Sequence, residues 1–105
     1  MDLNTFYDLI KAEFNIPIAY DHFNEPPTTP FIAYLDIGKD TFNADNCTFT
    51  KSTNIVIELY TDYKDLELEA KLESFLEKNF RYWEDEATVF IPEEKLYLHA
   101  YRFKI

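Results

Sequence analysis

The sequence predicts an α+β fold: two helices packed on one largely antiparallel four-stranded sheet, in the order α-β-β-α-β-β. Two segments repeat apolar residues at helical spacing, others alternate at period two, and turn-forming residues separate them. With 105 residues the chain is read as a single domain, 1–105, because domains commonly hold about 100–150 residues.

Leu3, Phe6, Tyr7, Ile10 and Phe14 recur at helical spacing and predict an amphipathic helix over 3–14. Asp2 or Asn4 is placed to cap it, and Pro17 stops its continuation. Residues 15–30 carry four prolines and read as a stiff connector, since proline fixes φ and extends the residue before it. Phe31–Ile37 is the first predicted strand, with Phe31, Ala33, Leu35 and Ile37 on one face. Gly38-Lys39-Asp40 is read as a turn, and Thr41–Lys51 as a long polar segment. In the second strand, Thr53–Thr61, Ile55, Ile57 and Leu59 alternate with Val56, Glu58 and Tyr60. A second helix is expected from about Lys64 to Asn79, with Leu68, Leu72, Phe75 and Leu76 as its apolar stripe. Strands over 81–91 and 95–105 close the fold around Pro92-Glu93-Glu94, the last with Tyr97, His99, Tyr101, Phe103 and Ile105 on one face.

Composition narrows the function classes. The chain has one glycine, Gly38, so it lacks the several glycines that let backbone N–H groups cradle a phosphate. Twenty acidic against ten basic residues give a formal charge of −10, a field that repels a nucleic-acid backbone and an anionic membrane surface. Neither specific nucleic-acid binding nor membrane association is therefore expected. Ten Phe, eight Tyr and one Trp supply a core rich in rings, each burying roughly 150–250 Å². Cys47 is the only cysteine, so no intrachain disulfide forms and a reduced intracellular setting is expected. The chain starts without a basic, signal-like segment and has no apolar run of membrane-spanning length.

The search for chemistry yields no enzyme. His22 beside Asp21 and the isolated His99 lack the three or four ligands of a zinc site, and His99 is expected to be packed or hydrogen-bonded. Asp36, Asp40 and Asp45 miss the calcium-loop pattern and suit turn chemistry instead. Glu84-Asp85-Glu86 and Glu93-Glu94 read as solvated edges. Cys47 sits in an acidic segment that opposes thiolate formation, and Ser52 and Ser74 have no triad context. No catalytic residue, cofactor or metal is expected.

One stretch is more specific. A strand ending in Glu58-Leu59-Tyr60-Thr61-Asp62 runs into a helix dotted with Glu and Leu. Upstream lie Pro30-Phe31-Ile32-Ala33-Tyr34-Leu35 and Phe42-x-Ala44-Asp45-Asn46. Together they resemble the small tail terminator (tail completion, head–tail joining) proteins of long-tailed phages and prophages of Gram-positive bacteria. The likeness spans Pro26–Leu76 and continues more loosely into the C-terminal strands. It implies a structural subunit that forms a hexameric ring, caps the tail tube and docks the head–tail connector. Its partners are then itself, the tail tube protein and the connector protein, in the host cytoplasm during assembly and in the tail or neck of the virion afterwards. Gly38–Ser52 has few apolar anchors and is expected to be mobile alone and ordered on assembly, with Phe42, Asp45, Asn46 and Phe49 as interaction residues. The alternatives are an acidic inhibitor that mimics DNA, and another neck or head-completion protein.

Overall fold

The computed structural model describes residues 1–43 and 49–105, with the side chains of 41–43 and 49–51 excepted. Seven elements follow one another: α1 (Leu3–Glu13), β1 (Ile18–Tyr20), β2 (Phe31–Asn43), β3 (Phe49–Thr61), α2 (Leu66–Asn79), β4 (Trp83–Ile91) and β5 (Leu96–Lys104). The fold is α+β, with two helices and a five-stranded mixed sheet of order β1-β2-β3-β5-β4.

Both helices start as local chemistry dictates. Asp2 accepts from the Thr5 N–H at 2.8 Å and Asp65 from the Leu68 N–H at 3.1 Å, each satisfying a first-turn donor that has no partner within the helix. Phe6 and Ile10 of α1 and Leu72, Phe75 and Leu76 of α2 are buried against Ile32, Tyr34, Ile55, Ile57, Leu59, Tyr101 and Phe103 of the sheet. Leu3, Tyr7 and Leu68 pack at the margin of this cluster. Lys71 lies 4.8 Å over the Phe14 ring, so even a basic residue of α2 covers core edge with its stem.

Three corrections to the sequence reading concern the sheet. A fifth strand, β1, lies inside the proline-rich connector and pairs with β2 in parallel, from Ile18↔Ile32 to Tyr20↔Tyr34. The remaining pairings are antiparallel. Three residues are too few to show a period. What holds them is tertiary: Ile18 is buried in the core and Asp21 N–H donates to Tyr34 O at 2.7 Å.

The second correction is that Gly38-Lys39-Asp40 is not a turn. β2 passes through it with a bulge between Asp36 and Gly38. Gly38 has φ +121°, and its N–H donates to Asp36 Oδ1 at 2.8 Å. One inserted residue bends the strand without ending it. Ile37, expected on the face of Phe31, is the inserted residue and stays 42% exposed. A Cβ at Gly38 meets nothing within 4 Å, so the cost of Gly38→Ala is conformational. We expect it to lower stability by about 1–3 kcal/mol, read from a chemical-denaturation midpoint. A neutral or stabilising result would show that the bulge relaxes easily.

The third correction follows from the second. Residues 41–43 and 49–51, read as a polar segment, are strand, and the pairing runs on to Asn43↔Phe49. Their polarity concealed them: a strand with no second layer above it has no apolar face to give a period. Residues 44–48, between them, lie outside the described residues.

Candidate functional site

Where β2 and β3 leave the rest of the sheet, they form a two-stranded ribbon. β5 accompanies β3 only as far as Asn54↔Lys104, with Thr53 and Ile105 exchanging backbone hydrogen bonds of 3.0 and 2.9 Å just beyond. On the other side, β1 leaves β2 after Tyr34. Asp40↔Ser52, Thr41↔Lys51, Phe42↔Thr50 and Asn43↔Phe49 therefore pair with each other and, among the described residues, with no third strand. At about 3.3 Å per residue these pairs project roughly 13 Å. The molecule is correspondingly long, 52 × 27 × 24 Å.

Polar contacts fix the base of the ribbon. Asn54 Nδ2 donates to Gly38 O at 3.1 Å, across the bulge. Lys104 Nζ lies 2.7 Å from Asp40 Oδ2, and its hydrogen bond, with that of Asn54 second, holds the Asp40 carboxyl below the usual carboxylate range. A pair this exposed, with side chains 49% and 54% accessible, contributes little stability.

Two of the four sequence-predicted interaction residues fall on this ribbon. Phe42 stands opposite Thr50 and Phe49 opposite Asn43, at successive register positions. Asp45 and Asn46 lie outside the described residues, as does the middle of the segment expected to order on assembly.

The helices cover one face of the sheet. On the other, directly opposed residues share a side and build three rungs: Phe31–Tyr60–Leu98–Val89, Ala33–Glu58–Ala100–Ala87 and Leu35–Val56–Arg102–Glu84. The first rung is mostly apolar, with Val89 53% exposed at its edge. Tyr20, Tyr82 and Phe90 are further exposed rings.

A buried polar cluster on the helix side escaped the sequence reading. His99, 5% exposed, faces Glu69 of α2, 6% exposed. Its Nε2 lies 2.8 Å from Asp85 Oδ1, and its Nδ1 lies 3.1 Å from Glu69 Oε1 and 3.4 Å from the Tyr101 hydroxyl. Tyr101 donates its own proton to Glu73 Oε2 at 2.7 Å, so both His99 nitrogens face oxygen atoms that can accept a hydrogen bond. Burial, followed by the Glu73 hydrogen bond, pushes the Tyr101 hydroxyl far above the ordinary phenol value. Lys64 bridges Glu69 at 2.8 Å and Thr88 at 3.0 Å.

A bulge between Asp85 and Ala87 makes the cluster possible. Asp85 opposes Tyr101 and Thr88 opposes His99, so two residues three apart share the helix-side face, which regular alternation forbids. Glu84, Asp85 and Glu86 are all exposed, as expected of a solvated edge, and Asp85, its side chain 52% exposed, also reaches His99. The sequence carries no local sign of the bulge. Glu69 sits where an apolar stripe passes through Leu68 and Leu72, and its burial follows from the sheet beneath it.

His22 and Asp21 contact each other at 3.0 Å but are 70% and 53% exposed. Among the described residues no group of three or more His, Cys, Asp or Glu side chains is arranged to hold a metal ion. Among the described residues the salient features are a two-stranded ribbon, a helix-free sheet face, and a polar cluster on the helix side. No protein-family model matches the chain, and no curated protein matches it.

Proposed function

We propose that the chain is a tail terminator subunit of a long-tailed phage or prophage: a structural, non-enzymatic protein that caps the tail tube as a ring and joins tail to head. The observation that carries the reading is the β2–β3 ribbon. An isolated two-stranded ribbon is marginal in water, and the free backbone groups along both its edges are templates for pairing with another chain. Its place in the sequence coincides with the stretch that resembles tail terminators, Pro26–Leu76. A closed ring needs a heterologous contact, one surface meeting a different surface of the next copy. The ribbon and the helix-free sheet face supply two unlike surfaces for it.

The charge of −10 has two consequences in this reading. It repels identical neighbours within about 8 Å at physiological salt, so the free protein is a monomer or weak oligomer and the ring closes on the tube. Ring-lining carboxylates would also let DNA pass without adhering.

The decisive experiment replaces Phe42 and Phe49 together by alanine in a producing phage. The expected outcome is a folded protein with tails of uncontrolled length or tails without heads, seen by electron microscopy. Normal virions would make the ribbon a spectator, and an unfolded variant would assign both rings to the core. A tight two-fold dimer as the sole species in solution would also count against a ring-forming subunit.

A further inference from the structure

The connector between β1 and β2 folds over the helix-free sheet face and leaves a cleft there. We propose that this cleft receives the arginine side chain of a protein partner.

The walls come from three elements. Phe31 of β2 stacks on Tyr60 of β3 with ring centroids 4.8 Å apart and planes 18° apart. Phe23 of the connector meets Phe31 edge-on at 5.4 Å. Pro26 and Pro27 close one side, and Glu94 of the β4–β5 turn reaches in from the other. The cavity holds about 160 Å³, well under the roughly 300–1,000 Å³ of a small-molecule pocket. One side chain fits it.

Charge identifies the side chain. Asp21 and Glu94 line the cleft, and no Lys or Arg is among the described residues lining it. Glu58 stands beside them, with Tyr60 donating its hydroxyl proton to Glu58 Oε1 at 3.2 Å. Burial pushes the Glu58 carboxyl above its ordinary value. The Tyr60 hydrogen bond works against that shift, and the Asp21 charge adds to it. Burial, then Glu58, then Glu94 push the Tyr60 hydroxyl up to about 12. Burial is the larger cause of both shifts, and the nearby charges of Asp21 and Glu94 add to it, so the cleft and its border carry acidic charge that a bound cation complements.

His22 is the competing partner of Asp21, since its Nδ1 lies 3.0 Å from Asp21 Oδ2. It is 70% exposed, so it yields its place without leaving a buried group unsatisfied. Arginine is preferred to lysine because a guanidinium stacks flat on aromatic faces while its N–H groups fork towards carboxylates. Nothing in this inference depends on the tail reading.

The test is a nuclear magnetic resonance titration of the whole chain with N-acetyl-arginine amide, N-acetyl-lysine amide and the neutral isostere N-acetyl-citrulline amide. The expected result is saturable shift changes confined to the cleft, at Asp21, His22, Phe23, Phe31, Ala33, Tyr60 and Glu94, with the arginine compound, at least threefold weaker binding of lysine, and none of citrulline. The variant Asp21→Asn with Glu94→Gln should weaken arginine binding at least fivefold. Asn accepts the φ of +66° at position 21, and unchanged spectra elsewhere will show that the fold is kept. No arginine binding up to 50 mM (roughly a −1.8 kcal/mol interaction by the usual conversion), equal binding of citrulline or lysine, or an unaffected double variant would each overturn the proposal.

Discussion

Phe6→Ala should cost about 3–5 kcal/mol, the largest expected loss for any single side chain of this protein. Phe6 is fully buried and is where the two helices and the sheet meet. Its ring lies 5.2 Å from Tyr34, 6.4 Å from Phe75, 5.9 Å from Phe80 and 5.3 Å from Phe103. Those neighbours come from three different elements, β2, α2 with its C-cap, and β5, so they cannot all close on the cavity without moving the helices on the sheet. The cost therefore approaches transfer plus full cavity rather than transfer alone. Against a total stability of about 5–15 kcal/mol for a domain, the variant should sit near the edge of unfolding. The check is a urea transition: a lower midpoint with the slope unchanged. Tyr7→Ala, one residue along at the margin of the core, should cost clearly less. Equal losses at 6 and 7 would mean that α1 is not seated as described.

The apolar stripe of α1 was legible in the sequence, because helix periodicity is a property of the local chain, although the sequence reading placed Phe6 and Tyr7 on it alike. Phe6 and Ile10 are the centre of the stripe, and the same reasoning placed Leu72, Phe75 and Leu76. Alternation in 53–61 and 95–105 likewise picked the buried side chains Ile55, Ile57, Leu59, His99, Tyr101 and Phe103. What escaped was whatever depends on a distant partner. β1 is a strand because Ile32, Ala33 and Tyr34 lie beside it. Gly38, read as a turn signal, is one inserted residue in a strand that continues because β3 continues opposite it. A glycine supports both interpretations through the same freedom at positive φ. Of the interaction residues, the sequence placed Phe42 and Phe49 in a segment whose backbone is a paired ribbon. It missed the cleft over Phe31 and Tyr60, since Phe23 is brought to it by a connector without any period.

The bulge in β4 is the most consequential of these hidden features, because it sets the terms on which Glu69 is buried. The Glu69 side chain is 8% exposed and has two polar neighbours, Lys64 Nζ at 2.8 Å and His99 Nδ1 at 3.1 Å. His99 is in turn held by Asp85 on the bulged strand. Removing one neighbour leaves the other, so His99→Leu should cost about 2 kcal/mol and Lys64→Met about 1 kcal/mol, the difference reflecting the 44% exposure of Lys64. Removing both leaves the buried Glu69 carboxyl group without either partner, and the double variant should lose about 1–2 kcal/mol more than the sum. Adding Glu69→Leu to the double variant should then recover most of that excess, since an apolar set of similar volume buries without a desolvation penalty. Denaturation midpoints of the four variants decide it. Strict additivity of His99→Leu and Lys64→Met would show that the two do not share Glu69. A triple variant no more stable than the double would show that packing of the His99 ring on Tyr101, stacked at 4.4 Å, outweighs the charges.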